Sequence, residues 1–234
     1  MADPAPALAV PFGSSGSSTA GFVQHVAHEI RQPLSAIDSI AYYLKMLLPE
    51  ADPRVHPQLD RIQALVSQAN SVIASAVLLA SPATPGTDII DLNQVVSSVV
   101  AENAGEGCAD EPSVHIQFAS DPALVRLNAD HARHLVSGML TSLVQVSRSS
   151  EPILARIHNN DAREVELEFQ APGWQCATQD LAGLFEPLNA QLPPGVGLIL
   201  SSARRITEVH GGRISVKSET GRGTWLQSTF PPAG

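Results

Sequence analysis

Apolar residues between positions 22 and 48 recur at alternating four- and three-residue steps: Phe22, Val26, Ile30, Pro33, Ile37, Ile40, Leu44 and Leu48. At about 100° per residue they form one stripe, the pattern of a helix that buries a single seam. His28 lies two residues from both Val26 and Ile30, so it points about 160–200° away from that seam. Glu29 flanks the seam, and Gln32 stands one turn beyond His28 on the same side. Pro33 withholds the N–H that would bond the carbonyl of Glu29, which predicts a bend at the turn carrying His28. Three prolines between Pro49 and Pro57 predict a turn, and a second helix runs from about Gln58 to Ala80. Its stripe of Leu59, Ile62, Val66, Ala69, Ile73 and Val77 is widened by Leu65, Val72 and Leu79. One partner helix cannot cover so broad a face. Two such hairpins side by side close a four-helix bundle, so a homodimer through residues 20–80 is expected.

Ser81–Asp88 has the composition of a linker, and beyond it the periodicity changes. Asn93–Asn103 reads as helical, while Val114–Ala119 and Leu124–Leu127 read as extended. A helix is predicted from Asp130 to about Arg148, with Asp130 as its cap. Ile153–Ile157 and Val165–Phe169 alternate like paired strands around the turn Asn159-Asn160-Asp161. A helix over Leu198–Val209 stops at Gly211-Gly212, and strands Arg213–Ser218 and Thr224–Phe230 close the chain. The order predicts an α+β chain, a helical hairpin followed by a mixed sheet with helices on one face. Four segments result: a disordered lead-in over residues 1–19, the hairpin over 20–81, a linker over 82–89, and the α/β region over 90–234.

Composition narrows the partners. The 234 residues carry a net charge of −9, which argues against nucleic acid, whose phosphates call for clustered Lys and Arg. Cys108 and Cys176 lie far apart without metal-ligand spacing and read as reduced bystanders. The longest apolar run, Val72–Ala80, falls short of the ~20 residues that span a bilayer. No signal peptide is evident at the N-terminus. A cytoplasmic protein with neither membrane nor nucleic acid as partner is expected.

The motif HEIRQPL at residues 28–34 resembles the phosphoacceptor box of sensor histidine kinases. The resemblance extends over nearly all of the chain beyond residue 20. LFEPL at 184–188 looks like the Phe-containing box of the family's ATP-binding domain, GVGLIL at 195–200 like its GxGLGL box, and HGGRISVKSETGRGTW like its closing strand pair. It implies a dimeric four-helix bundle followed by an α/β sandwich of the histidine-kinase ATPase type. It also implies that His28 carries a phosphoryl group, that Glu29 orients or deprotonates the imidazole, and that Gln32 can orient a water for receiver dephosphorylation. Arg31 and the outward line Ser35, Ser39, Tyr42 and Met46 form an expected docking patch, unless the second helix covers it.

Departures from the family pattern bear on ATP. Two Asn that hold Mg²⁺ and phosphate in the family correspond to Gly138 and Ser142, and no Asn occurs between Asn128 and Asn159. The Asp that reads adenine corresponds to Phe169, and Ile199 fills a phosphate-loop glycine. Asn189–Pro194 is too short for a long lid. The surviving glycines Gly195, Gly197, Gly212, Gly221 and Gly223 then read as turn formers in a vestigial nucleotide site. His131 and His134 have metal-compatible spacing but no further ligands nearby, so surface histidines are expected and no metal. His25, one turn before His28, reads as exposed.

The combined expectation is a phosphorelay histidine phosphotransferase with no cofactor of its own. His28 would accept a phosphoryl group from the receiver domain of a hybrid kinase and pass it to a response regulator, the receiver supplying Mg²⁺. Two alternatives stand beside it: an ATP-dependent histidine kinase with atypical nucleotide contacts, and a non-catalytic dimeric scaffold for a response regulator.

Overall fold

A computed structural model describes residues 15–48, 54–82, 84–104, 112–118, 122–147 and 151–233. Two long helices come first, α1 (Ser15–Leu47) and α2 (Val55–Ala80). Helix α1 begins within the stretch expected to be a disordered lead-in; the rest of that stretch, residues 1–14, lies outside the described residues. Helix α1 runs on through Pro33. Helix α2 starts three residues before the expected Gln58, because Pro57 falls in its first turn, where a missing N–H costs nothing. Residues 49–53 of the expected turn are outside the described residues, as is Cys108.

The hairpin closes along one line of α1. Ala27 and Ala41 are buried against α2, and small side chains there let the helix axes approach. Polar groups fix the register: Lys45 pairs with Asp60, and Gln63 Nε2 donates to Asp38 Oδ1 at 3.4 Å. The predicted apolar seam is not this contact. It lies about 100° round the helix, with Phe22 66% and Ile40 59% exposed, and Ile62 and Leu65 of α2 are exposed as well. Among the described residues nothing covers that seam. By length and composition α2 could also cross a membrane, with a mean hydropathy of 1.5, although no single uninterrupted run in it is long enough.

The second region is a sandwich. Strand β1 (Ile89–Asp91), which sequence periodicity did not reveal, leads directly into α3 (Leu92–Ala104) and pairs antiparallel with β3 (Leu124–Arg126). Ile89, expected in the linker, is therefore a strand residue. The main sheet joins β2 (Val114–Phe118), β4 (Ile153–Asn159), β5 (Val165–Ala171), β7 (Gly223–Phe230) and β6 (Arg213–Glu219), in that spatial order. Only β2 and β4 are parallel; the other pairs are antiparallel. Helix α4 (Ala129–Val146) and α5 (Val196–Val209) pack with α3 on one face of the sheet. The cap of α4 is Asn128, not Asp130: Asn128 Oδ1 accepts from the backbone N–H groups of Asp130 and His131 at 2.9 and 3.1 Å.

Strand alternation sorts the two faces of the sheet. Ile153, Ala155, Leu167, Phe169, Leu226 and Phe230 point toward the helices and are buried. On the opposite face Arg156 donates to Glu168 at 3.0 Å, and Lys217 and Arg222 lie over the ring of Trp225 at 5.4 and 5.8 Å. Those two cations shield the indole, which is buried although it belongs to the open face.

Candidate functional site

His28 is exposed on α1, on the side away from the apolar seam. The Nε2 of Gln32, one turn on, lies 3.2 Å from His28 Nε2. A primary amide nitrogen only donates, so the imidazole accepts at Nε2 and carries its proton at Nδ1. The reactive lone pair is thus held by a side chain that must rotate aside before Nε2 can attack an incoming atom. Glu29 is exposed, about 100° round the helix from His28, and makes no hydrogen bond to it. Tyr42 and Met46, on the side of His28, are 60% and 64% exposed, so α2 does not cover them. Ser35 and Ser39 complete that line, with Ser39 Oγ donating to the Ser35 carbonyl at 2.8 Å. Arg31 departs from the group: it is half-buried and faces a cleft toward α4 and α5.

A second region lies between α4, α5 and the end of β5. Gly138 is buried in α4, and a Cβ placed there would lie 2.9 Å from Ile199 Cγ2. Ile199, 1% exposed, therefore occupies the space a larger residue at 138 would use. Ser142, one turn further along α4, has a buried hydroxyl without a hydrogen-bond partner. Phe169 is fully buried in the core. Beside these residues a cavity of about 500 Å³ is lined by Trp174, Cys176, Asp180, Leu184 and Leu192, and no Lys or Arg among the described residues lines it. Burial and the nearby Asp180 push the Cys176 thiol pKa up, which keeps it protonated.

The glycines around this region have local reasons. Gly195 (φ +89°) precedes α5 in the left-handed region and abuts Val72 of α2. Gly197 permits the Glu186 carbonyl to come within 2.5 Å of where a Cβ would stand. Gly221 and Gly223 make the β6–β7 turn at φ +76° and +97°.

The two regions of the chain are joined by a polar seam that sequence reasoning missed. His134, expected on the surface, stands between α2 and α5. Its Nε2 lies 3.0 Å from Ser202 Oγ and 3.2 Å from Ser75 Oγ. Each hydroxyl can donate to its own helix, Ser202 to the Ile199 carbonyl at 2.7 Å and Ser75 to the Ser71 carbonyl at 2.9 Å. Nε2–H then donates to both oxygens, and all three groups are satisfied. Burial lowers the pKa of His134, with a smaller contribution from His131; burial followed by His210 lowers that of His131. Arg205 grips the end of α2 through the Leu79 and Ser81 carbonyls at 2.6 and 2.5 Å, where the helix dipole favours a cation. His210 accepts from Gly86 N–H at 2.8 Å and donates from Nδ1 to the Ile206 carbonyl at 2.7 Å. The only sequence signal for this seam was polar residues interrupting the apolar stripes of α2 and α5. Among the described residues no group of His, Cys, Asp and Glu is arranged to hold a metal ion.

Comparison with known proteins gives a consistent picture. Residues 127–234 match the family of histidine kinase-, DNA gyrase B- and HSP90-like ATPases. The chain is 30% identical over 216 residues to the sensor histidine kinase ZraS of Klebsiella oxytoca, a match covering 89% of this chain and 45% of that protein. It is 26% identical over 218 residues to the sensor protein FixL of Bradyrhizobium diazoefficiens, covering 89% and 42% respectively. The chain thus spans less than half the length of these relatives. Full-length ShkA in complex with AMPPNP superposes with a TM-score of 0.61 at 19% identity, over 91% of this chain and 46% of that one. The Acinetobacter baumannii histidine kinase AdeS gives 0.58 at 14% identity, over 88% and 98%. At those identities the structural likeness is one of fold.

Proposed function

Because the chain belongs to the histidine kinase family, we propose that it is a phosphotransfer enzyme working through His28, as a relay between receiver domains rather than as a consumer of ATP. The observation that carries this reading is the filled site between α4 and α5. Ile199 occupies the space at Gly138, Ser142 offers one hydroxyl, and Phe169 is core. Mg²⁺ requires oxygen ligands in octahedral geometry, and these side chains do not fit it. Among the described residues the cavity alongside is lined by no cation to meet a triphosphate.

In the relay His28 Nε2 attacks the phosphorus of an aspartyl phosphate on a receiver domain. The N–P bond forms as the P–O bond breaks, and the electron pair leaves with the aspartate carboxylate. Nδ1 keeps its proton, so the phosphoimidazole is cationic at the ring until that proton is lost, and Glu29 is the nearest carboxylate in sequence to receive it. Gln32 first releases Nε2. The same steps reversed pass the group to a response regulator. Positioning and charge neutralisation suffice for such in-line transfer, with Mg²⁺ brought by the receiver. The exposed line Ser35, Ser39, Tyr42 and Met46, with Arg31 at its margin, is the docking surface for the receiver. Two chains associate through the uncovered seam of α1 and α2, and the protein works in the cytoplasm.

A second reading is ATP-dependent autophosphorylation of His28. It is favoured by relatives named sensor histidine kinases and by the fold shared with a nucleotide-bound structure. One experiment separates the two. The chain is mixed with a receiver carrying labelled aspartyl phosphate and, separately, with labelled Mg-ATP. The relay reading expects label from the receiver alone, abolished in His28→Ala. Label from ATP alone selects the second reading.

A further inference from the structure

Helix α2 meets the sandwich along a narrow, polar contact. Cavities of about 440 and 550 Å³ flank it, one walled by α1, α2, α4 and α5, the other by α1, α2 and α4. Between them Gln68 Nε2 donates to Gln145 Oε1 at 3.1 Å and to the Pro194 carbonyl at 3.2 Å. Arg205 holds the last turn of α2, and His134 stands between Ser75 and Ser202. Residues 86–88 belong to the sandwich side of this joint. A Cβ at Gly86 would overlap the Asn128 backbone, Gly86 N–H bonds His210, and the Asp88 carbonyl accepts from Leu127 N–H at 2.9 Å. Opening of the joint therefore parts α2 from α4 and α5 and leaves residues 86–88 in place. A small polar contact between two parts of one chain is where relative motion is expected.

His134 is the group in this contact whose ordinary titration falls near neutral pH. Its Nε2–H serves both hydroxyls, whose oxygens are 3.1 Å apart. Desolvated between the helices, an imidazolium would also need an acceptor for its second N–H. Two carboxylates share the cavity beside it, Asp38 of α1 and Asp130 of α4, and neither bonds to it. Arg133 of α4 lines that cavity too and is taken by Glu102. On the other side Arg31 of α1 and Arg205 of α5 line the first cavity with His131, whose ring packs edge-on against His210 of the sandwich at 5.4 Å. Among the described residues α2 contributes no titratable group to either cavity. A proton added to His131 therefore stands beside two guanidinium groups and one carboxylate.

We propose that His134, with His131 beside it, makes this joint an acid-released latch: neutral imidazoles hold α2 on the sandwich, and protonation lets the sandwich swing off the hairpin. This goes beyond the relay reading and does not depend on it. Burial lowers the pKa of both rings; His131 adds to the effect at His134, and His210 adds to it at His131, where Asp130 works the other way. The opened, hydrated joint thus binds protons more tightly than the closed one. The closed form is fully held above about pH 6.5 and is lost as pH falls below it. Its opening constant rises by up to about tenfold per pH unit for each proton taken up.

Small-angle X-ray scattering of the full chain between about pH 7.5 and 5.5 tests this, with circular dichroism and light-scattering mass alongside. The radius of gyration should rise on acidification while helix signal and mass stay constant. In the Ser75→Cys/Ser202→Cys variant a disulfide between α2 and α5 should hold the radius constant, and reduction should restore the rise. His134→Gln should lower the opening constant at pH 5.5 by about tenfold, one proton's share over one pH unit. Should that variant open at every pH, NMR titration of the His134 ring in the parent replaces it. Its midpoint should coincide with the expansion, and should lie lower in the disulfide-bolted chain. A radius unchanged down to pH 5.5 overturns the proposal, as does an expansion that brings loss of helix signal. So does expansion of the bolted chain, or a His134 ring that titrates while the radius stays constant. Neither receiver nor ATP is in the assay, so its failure leaves the relay reading intact.

Discussion

Gly138→Asn introduces the side chain that the family resemblance assigns to this position, and the structure predicts that it will be resisted. Its Cβ alone would meet Ile199 Cγ2 at 2.9 Å, inside a core where Leu135, Met139 and Leu143 are also fully buried. Overpacking of this kind costs about 1–3 kcal/mol. The added amide would lack partners among apolar neighbours, at a further cost of about 1–3 kcal/mol. The better helix propensity of Asn over Gly returns only about 0.3 kcal/mol. The net loss is about 2–6 kcal/mol, which for a chain of this size lowers Tm by on the order of 4–20 °C. Ile199→Ala opens a cavity and is itself destabilising by about 2–5 kcal/mol. Because the two side chains compete for one space, the double variant should be more stable than the sum of the singles, with a coupling of about 1–3 kcal/mol. Chemical denaturation of the four proteins measures this cycle, and calorimetry with Mg-ATP tests each for nucleotide binding. A Gly138→Asn protein that melts with the parent, or a cycle without coupling, would refute the claim that Ile199 fills the site. Tight Mg-ATP binding by the parent chain would refute the functional reading built on it.

Two further outcomes are expected. Ile40→Asp, on the uncovered seam of α1, should halve the mass measured by light scattering while far-ultraviolet circular dichroism stays unchanged; a variant that keeps the parent's mass would place the dimer contact elsewhere. Lowered pKa values for His134 and His131 mean that the unfolded chain binds more protons, so stability should be flat above pH 6.5 and fall as pH drops through that value. In urea titrations from pH 7.5 to 5.5, His134→Gln should lose less stability over that range than the parent; an equal loss would remove His134 as the source.

The periodicities of the chain already contained its two halves. Apolar spacing of three and four residues in α1 and α2, and two-residue alternation in β4 and β5, are local consequences of helix and strand geometry. The outward position of His28 follows from the same arithmetic, and its exposure in the fold agrees with it. Gly138, Ser142, Phe169 and Ile199 were also legible as the positions where the sequence differs from the family pattern it resembles, because a residue type is visible as a letter.

What those letters do to one another was decided by tertiary contact. Nothing local to Gly138 or Ile199 says that one fills the space the other leaves, since they lie on different helices. Nor does spacing reveal that His134 bridges Ser75 and Ser202, or that Arg205 holds the end of α2. Strand β1 is too short to alternate and exists by pairing with β3. The cap of α4 fell to Asn128 because that residue is extended, with its side-chain oxygen turned toward the free N–H groups of the first turn. Periodicity fixes which face of an element is apolar; only packing determines which other element meets that face, and at what distance.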